Sequence, residues 1–333
     1  MDDIITLAHG SGGKKTSQLI EEMFLPYFDN EELSKLNDGA ILNGFDKIVF
    51  STDSFVVRPF FFPGGDIGKL SVCGTVNDIC MCGGEPKYLS ISLIIEEGFK
   101  TENLKRIIES ISKTADECNV KIVTGDTKVV ERGKGDGIYI NTTGIGYLKY
   151  DFLDKNRIED GDMVIVSGNV GDHGVAVMAA REEVFESMNL VSDCMPLHEL
   201  SKVILEYGNN IKILRDPTRG GIATTLNEFI EGTEIGIELF EESIPISEEV
   251  NKACEILGID PLYSANEGKI VAVVSKNVAN KVVNTLKKIK GGEKAAIIGK
   301  VTSKVKQRVV LKTSIGGTRI LTKLSGSQLP RIC

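Results

Sequence analysis

The sequence predicts a two-domain protein of mixed α/β class (α/β, α+β mixed), and three observations carry that prediction. They are the length of 333 residues, the alternation of strand-type and helix-type patterns in both halves, and a polar break near residue 155. A chain of this length exceeds the ~250–300 residues at which a single core usually splits. Each half is long enough to bury a core of its own.

In the first half, Ile48-Val49-Phe50-Ser51-Thr52 and Leu89-Ser90-Ile91-Ser92-Leu93 read as strands from their alternating apolar content. Leu104, Ile107, Ile108, Ile111 and Ala115 recur at helical spacing and mark one face of a helix. A strand pair is expected around residues 138–147. The polar stretch Asp154-Lys155-Asn156-Arg157 and the turn Glu159-Asp160-Gly161-Asp162 follow. The domains are therefore read as 1–155 and 156–313. The second half repeats the alternation, with strands at 163–166, 269–275 and 295–301 and helices near 173–183, 197–207 and 220–231, another helix preceding the last of these strands. Beyond Thr313, the turn Ser314-Ile315-Gly316-Gly317 and a short strand candidate at 319–322 lead into a tail, 314–333, expected to be mobile.

Composition bounds the function. Lys plus Arg number 39 against 47 for Asp plus Glu, a net charge of -8. That balance argues against nucleic acid as a partner. Seven cysteines, at 73, 80, 82, 118, 194, 254 and 333, form no evenly spaced framework, which fits a reducing cytoplasm. Met1-Asp2-Asp3 is acidic and lacks an apolar leader, and the longest mostly apolar run, 88–95, is far short of the ~18 residues that span a bilayer. The expectation is a cytoplasmic protein with no membrane partner. Thirty-five glycines and no tryptophan point to many tight turns where backbone approaches something closely.

The sequence ends on Pro330-Arg331-Ile332-Cys333. A thiol at the tip of a tail is a nucleophile with reach: nine residues from Ser325 extend to about 30 Å at roughly 3.3 Å each. Such a tail enters its own protein's cleft or a partner's; the alternative is a frayed terminus. Near the other end, His9-Gly10-Ser11-Gly12-Gly13-Lys14-Lys15 has the glycines and lysines of a phosphate loop without being a Walker A sequence, the alternative being a flexible arm. Asp53, Asp78 and Asp126 follow strand-like segments or sit in turns. Carboxylates so placed either converge on a hard cation such as Mg²⁺ or act singly as caps and turn residues. Cys73, Cys80 and Cys82 lack a second pair at zinc-finger spacing and read as small hydrophobes within a helix. Lys128 and Glu267 stand out only by their glycine- and aspartate-rich neighbourhoods.

Taken in order, these segments resemble the hydrogenase maturation factor HypE family, within the aminoimidazole ribonucleotide synthetase-like (PurM-like) superfamily of ATP-using enzymes. The resemblance rests on His9-Gly10-Ser11-Gly12-Gly13, Pro63-Gly64-Gly65-Asp66-Ile67-Gly68-Lys69, Val76-Asn77-Asp78, Gly125-Asp126-Thr127-Lys128, Gly171-Asp172-His173-Gly174, Asp216-Pro217-Thr218-Arg219-Gly220-Gly221, Asn266-Glu267-Gly268 and the terminal Pro330-Arg331-Ile332-Cys333. It implies a two-domain PurM-like fold whose N-terminal domain pairs in a homodimer. It also implies an activity: a carbamoyl group delivered to Cys333 by the carbamoyltransferase HypF is dehydrated with ATP to a thiocyanate. The cyanide then passes to iron on a HypC–HypD scaffold during [NiFe] hydrogenase assembly.

By the same resemblance Gly10, Gly12, Gly13, Asp66, Lys69, Thr75 and Asn77 bind nucleotide, and Asp53, Asp78 and Asp126 hold Mg²⁺. Phosphorylating a carboxamide oxygen turns a poor leaving group into phosphate, so ATP acts as the dehydrating agent. Cys333 carries the substrate, Glu267 removes protons from nitrogen, and Lys128 orients the carbamoyl oxygen or stabilises developing charge. A relative acting on a diffusible substrate, such as selenophosphate synthetase or the purine-pathway cyclo-ligase, would not need the terminal cysteine. A non-catalytic scaffold with an interaction tail would hydrolyse no ATP.

Overall fold

The structure is a computed structural model, and it describes residues 3–333 apart from 38, 183, 184, 186, 187 and 327–330. The first half opens with two short helices, α1 (Lys14–Leu19) and α2 (Leu25–Phe28). Then come β1 (Ile48–Phe55), the small hairpin β2 (Phe61–Phe62) and β3 (Gly65–Asp66), α3 (Ile67–Met81), β4 (Gly84–Glu96), α4 (Thr101–Glu117), β5 (Lys121–Val130) and β6 (Ile138–Leu148). Four strands form one sheet in the order β1-β6-β4-β5. Only the β4–β5 pair is parallel, and α4 supplies the crossover that a parallel pair requires. The pair expected at 138–147 is the single strand β6, antiparallel to both β1 and β4.

The second half contains β7 (Met163–Val166), α5 (Asp172–Ala179), α6 (His198–Leu205), β8 (Ile211–Arg215), α7 (Gly221–Ile230), β9 (Gly236–Phe240), α8 (Glu248–Leu257), β10 (Val271–Val274), α9 (Ala279–Leu286), β11 (Ala296–Thr302), β12 (Val309–Lys312) and β13 (Thr318–Leu321). Its seven-stranded sheet has the order β13-β12-β9-β11-β7-β10-β8. Ile165, Ala272 and Val274 face one core with Leu200 and Ile204 of α6 and Val282 of α9. Val164, Val166, Val271 and Val273 face another with Ile222, Leu226 and Phe229 of α7. Part of the expected mobile tail, Thr318–Leu321, is thus an edge strand; Ser327, Gln328, Leu329 and Pro330 lie outside the described residues.

Helix α3 joins the halves. Its start is fixed by Asp66, whose carboxylate accepts the Gly68 and Lys69 amides at 2.7 and 3.1 Å. It is buried almost all round, which suits a helix with a sheet on one side and a second domain on the other. Cys73 and Cys80 are buried within it, as expected of small hydrophobes, while Cys82 just beyond its end is exposed. Val72, Cys73, Val76 and Cys80 share one core with Cys194, Leu197, Leu200 and Ile204 of the second half.

The seam is also tied by Asn77. Its side chain accepts the Leu197 amide at 2.7 Å and donates to the carbonyls of Met195 at 3.2 Å and Glu267 at 3.5 Å. Asn77→Ala removes the partner of the buried Leu197 amide and the Met195 carbonyl, and the expected cost is about 1–3 kcal/mol. A lowered thermal midpoint by calorimetry checks this, and a midpoint equal to wild type would mean the amide contributes nothing across the seam.

Candidate active site

Strand register decides which predicted residues meet. Asp53 lies on β1 opposite Thr142 of β6, and Thr142 donates to Ser71 of α3, so this row faces the helix. There Asp53 meets Asp78 of α3, whose carboxylate accepts the Ser51 hydroxyl at 2.6 Å. Asp216, just after β8, joins them. Burial and the Asp78 charge push the Asp53 carboxyl up, opposed by Arg219, whose Nη2 lies 3.2 Å from Asp53 Oδ1. Asp216 is pushed to about 7 by burial first and then by the charges of Asp78 and Asp53.

Glu267 adjoins this acidic group at the domain seam and is only 2% exposed. Burial drives its carboxyl well above the ordinary range, with further contributions from Cys194, Asp216, Asp193 and Asp53. Its backbone is fixed on several sides: the Glu267 amide donates to Asp193 Oδ1 at 3.0 Å, and its carbonyl accepts the Met195 amide at 3.3 Å. Lys269 Nζ, 3.3 Å from Asp193 Oδ2, neutralises that aspartate inside the protein. The Asn266 amide donates to the Pro217 carbonyl at 3.1 Å, tying this loop to the one that carries Asp216.

Cys333 comes to the same place. The segment 331–333 runs along residues 56–58, with the Val56 amide donating to the Cys333 main-chain oxygen and the Arg58 amide to the Arg331 carbonyl, both at 3.1 Å. The Ile332 side chain enters the shared core. The Cys333 thiol is pushed up to about 12, by burial first and then by the Glu267 charge.

A second group of predicted residues lies elsewhere. Gly10, Gly12, Asp126 and Lys128 line a cavity of about 380 Å³ together with Thr16, Phe24 and Phe28. Gly10 is required by close approach, since a Cβ there would stand 2.5 Å from the Val129 nitrogen of β5. Gly12 has a left-handed φ of 80°. Gly13 caps α1 next to them. Lys128 Nζ pairs with Asp126 Oδ1 at 2.7 Å, and that bond holds the Asp126 carboxyl below its usual value.

One chain does not bring the two groups together. Asp53 aligns with Thr142, Ile91 and Gly125 across the sheet, whereas Asp126 aligns with Ser92, Asn141 and Ser54. The two aspartates therefore point to opposite faces, and β1 and β5 are separated by three strand spacings, about 14 Å. The other predicted nucleotide residues are engaged internally: Asp66 caps α3, Lys69 Nζ donates to the Gly64 carbonyl at 3.0 Å, Thr75 bonds Thr142, and Asn77 clamps the seam. Asp53 and Asp78 suit a hard cation that takes one or two carboxylates and completes its shell with phosphate oxygens. Among the described residues, no three acidic, histidine or cysteine side chains gather closely enough to hold a metal ion by themselves.

Sequence reasoning assigned no role to Asp216, Arg219, Asp193, Lys269 or His173. Gly220 and Gly221, with φ of 69° and 59°, do mark in sequence the turn that presents Arg219. Asp193 and Lys269 carry no such signal.

Two family models describe the two halves: AIR synthase related protein, N-terminal domain, matches residues 36–148, and AIR synthase related protein, C-terminal domain, matches 159–312. The class is therefore that of the AIR synthase-related proteins. Within it the likeness is narrower. Carbamoyl dehydratase HypE of Cupriavidus necator is 46% identical over 332 residues, covering 99% of this chain and 95% of that protein. The crystal structure of hydrogenase maturation protein HypE in complex with ATP matches with a TM-score of 0.94 at 43% identity, covering 98% of this chain and 99% of that one. A chain of the HypE-HypF complex matches with a TM-score of 0.80 at 48% identity, covering 91% and 99%. The chain belongs to the HypE carbamoyl dehydratase family.

The raised thiol pKa makes docking of Cys333 pH-dependent. The docked site favours the neutral thiol, so its contribution is complete below the ordinary thiol value and is lost as pH rises toward about 12. Alkylation of Cys333, followed by mass spectrometry, is expected to lag a free thiol at pH 8 and to catch up as the tail leaves in alkali. A profile matching a free thiol throughout would contradict docking.

Proposed function

We propose that this chain catalyses ATP-dependent dehydration of a carbamoyl group carried on Cys333, giving a thiocyanate, ADP and phosphate. The product supplies the cyanide ligand for iron in [NiFe] hydrogenase maturation. The observation that carries this reading is the docking of Cys333 along residues 56–58, at the seam where the charge of the buried Glu267 acts on its thiol. Membership of a family of carbamoyl dehydratases, one of them solved with ATP, supports it.

The chemistry follows from the placement. The carbamoyl oxygen takes the terminal phosphoryl group of ATP, nitrogen loses two protons, and the C–O bond breaks with phosphate leaving as the nitrile forms. Glu267 is the proton acceptor: exclusion of water weakens its acidity and makes its ionised form a stronger base. Lys269 and Asp193 hold the Glu267 backbone still. The glycine-lined cavity, with apolar walls from Phe24 and Phe28, suits a nucleotide. Asp53 and Asp78 would hold Mg²⁺, which neutralises phosphate charge when bound.

Asp126 and Lys128 then belong to the reaction centre only through a second copy of the chain. The outer sheet face exposes Ile48, Phe50 and Ile94, three large apolar side chains on the face that also bears Asp126. A homodimer on this face covers them and gives each Asp53–Glu267 centre a Lys128 from the partner subunit. HypF as carbamoyl donor is supported by the HypE-HypF complex among the relatives. A HypC–HypD scaffold as cyanide acceptor and a cytoplasmic location complete the reading. No described helix is long and apolar enough to cross a membrane.

Glu267→Ala is expected to accept the carbamoyl group yet form no thiocyanate on addition of ATP, read by intact mass; normal thiocyanate formation would remove Glu267 from catalysis. In wild type, the dehydration rate is expected to rise with pH beyond the ordinary carboxylate range, because the base works only when ionised. Lys128→Ala mixed with Glu267→Ala tests the shared centre. Mixed dimers regain activity if the lysine comes from the partner, and no recovery in verified mixed dimers would confine the centre to one chain.

A further inference from the structure

The hydrogen bonds that hold residues 331–333 engage their main-chain oxygens and the Arg331 side chain, and none of them uses the thiol. The Arg331 carbonyl accepts two donors, the Arg58 amide at 3.1 Å and Arg181 Nη2 at 2.7 Å. The Ile332 carbonyl accepts His173 Nε2 at 2.7 Å. The Cys333 main-chain oxygen accepts the Val56 amide. The carbonyls of Arg331 and Ile332 and one carboxylate oxygen of Cys333 are thus bonded, and none of these hydrogen bonds depends on the Cys333 sulfur.

His173 is built for this task. A carbonyl only accepts, so Nε2 carries the proton, and Nδ1 must then accept from the Ser192 hydroxyl at 2.8 Å. Ser192 Oγ in turn accepts the Cys194 amide at 3.0 Å, which leaves its own proton for His173. The ring is fully buried and meets Phe62 edge-on at 5.5 Å between centroids. Burial keeps the imidazole neutral, which preserves this donor–acceptor order. Arg181 is fixed too, because its Nε donates to the Arg58 carbonyl at 2.8 Å while Nη2 reaches Arg331. Arg331 sits at a φ of 55°, a left-handed conformation that a side chain adopts when its surroundings impose it. Its guanidinium is pinned between Asp136 and the Val56 carbonyl.

We infer that His173, with its tautomer set by Ser192, and Arg181 form a main-chain latch that docks Arg331–Ile332 and presents Cys333 to Glu267 whatever its sulfur carries. Both are positioning residues, since neither touches the reacting atoms. The inference rests on the dehydratase reading above and deepens it. A latch blind to the thiol accepts free, carbamoylated and cyanated tails alike. The chemical state of sulfur is then read only at the reaction centre, and each form must be able to leave for a partner by breaking the same few hydrogen bonds.

The test is maleimide labelling of the full-length protein at neutral pH, with Cys333 quantified by peptide mass spectrometry against Cys82, the exposed internal reference. His173→Leu and Arg181→Met are each expected to raise the Cys333-to-Cys82 ratio several-fold. His173→Gln, which keeps a donor close to the Nε2 position, is expected to restore it most of the way, a rescue that a merely structural role would not produce. Should His173→Leu fail to fold, Arg181→Met decides alone. Unchanged ratios in both folded variants, or a His173→Gln ratio as high as that of His173→Leu, would overturn the latch. Labelling requires no turnover, so absence of thiocyanate in wild type would sink the proposed function while the ratio still judges the latch.

Discussion

Exclusion of water from the Glu267 carboxyl is the constraint on which the rest of the structure depends. A carboxyl placed among Asp216, Asp193 and Asp53 without solvent holds its proton tightly, and that same property makes it an effective base once ionised. The arrangement costs stability, because buried acids repel one another and lose hydration. The offset comes from α3, whose buried residues form one continuous core with the second domain, and from Asn77, which closes the seam with hydrogen bonds. In the proposed reaction, domain packing and base chemistry are two results of the same burial.

The docked tail extends this logic. Cys333 enters a site that favours a neutral sulfur, and it does so without the thiol providing the attachment. A neutral carbamoyl or cyano sulfur suits the same environment. The two parts of the proposed reaction centre are separated in each chain, with Cys333 and Glu267 at the seam and the glycine-lined cavity at the far edge of the N-terminal sheet. The homodimer proposed on the apolar outer face of the sheet would join them.

Much of this was legible in the sequence. Alternation marked β1 and β4, and helical spacing marked α4; the polar stretch 154–157 lies in the gap between the two family domains, while the turn 159–162 opens the second of them. The resemblance gave Cys333 and Glu267 roles in one reaction, and in the structure the Glu267 charge acts on the docked Cys333 thiol. Register was not legible: a shift of one residue in a strand reverses the face, so Asp53 and Asp126 look alike in sequence yet point apart. The work done by Asn77, Asp193 and Lys269 was hidden as well, because a buried hydrogen bond or ion pair depends on what a distant segment places opposite it. The strands β8 and β9 were not read from the sequence, although β7 and β10, each one residue shorter, were.

The account stands most directly on the protonation state of Glu267 in the protein with its tail docked. Titration of carboxyl-¹³C-labelled glutamate by NMR, with the Glu267 signal identified by its loss in Glu267→Gln, measures it. A carboxyl that keeps its proton well above the range of the exposed glutamates is the predicted result. A Glu267 signal that titrates together with those of the surface glutamates would contradict the claim that a water-free seam makes this residue the base.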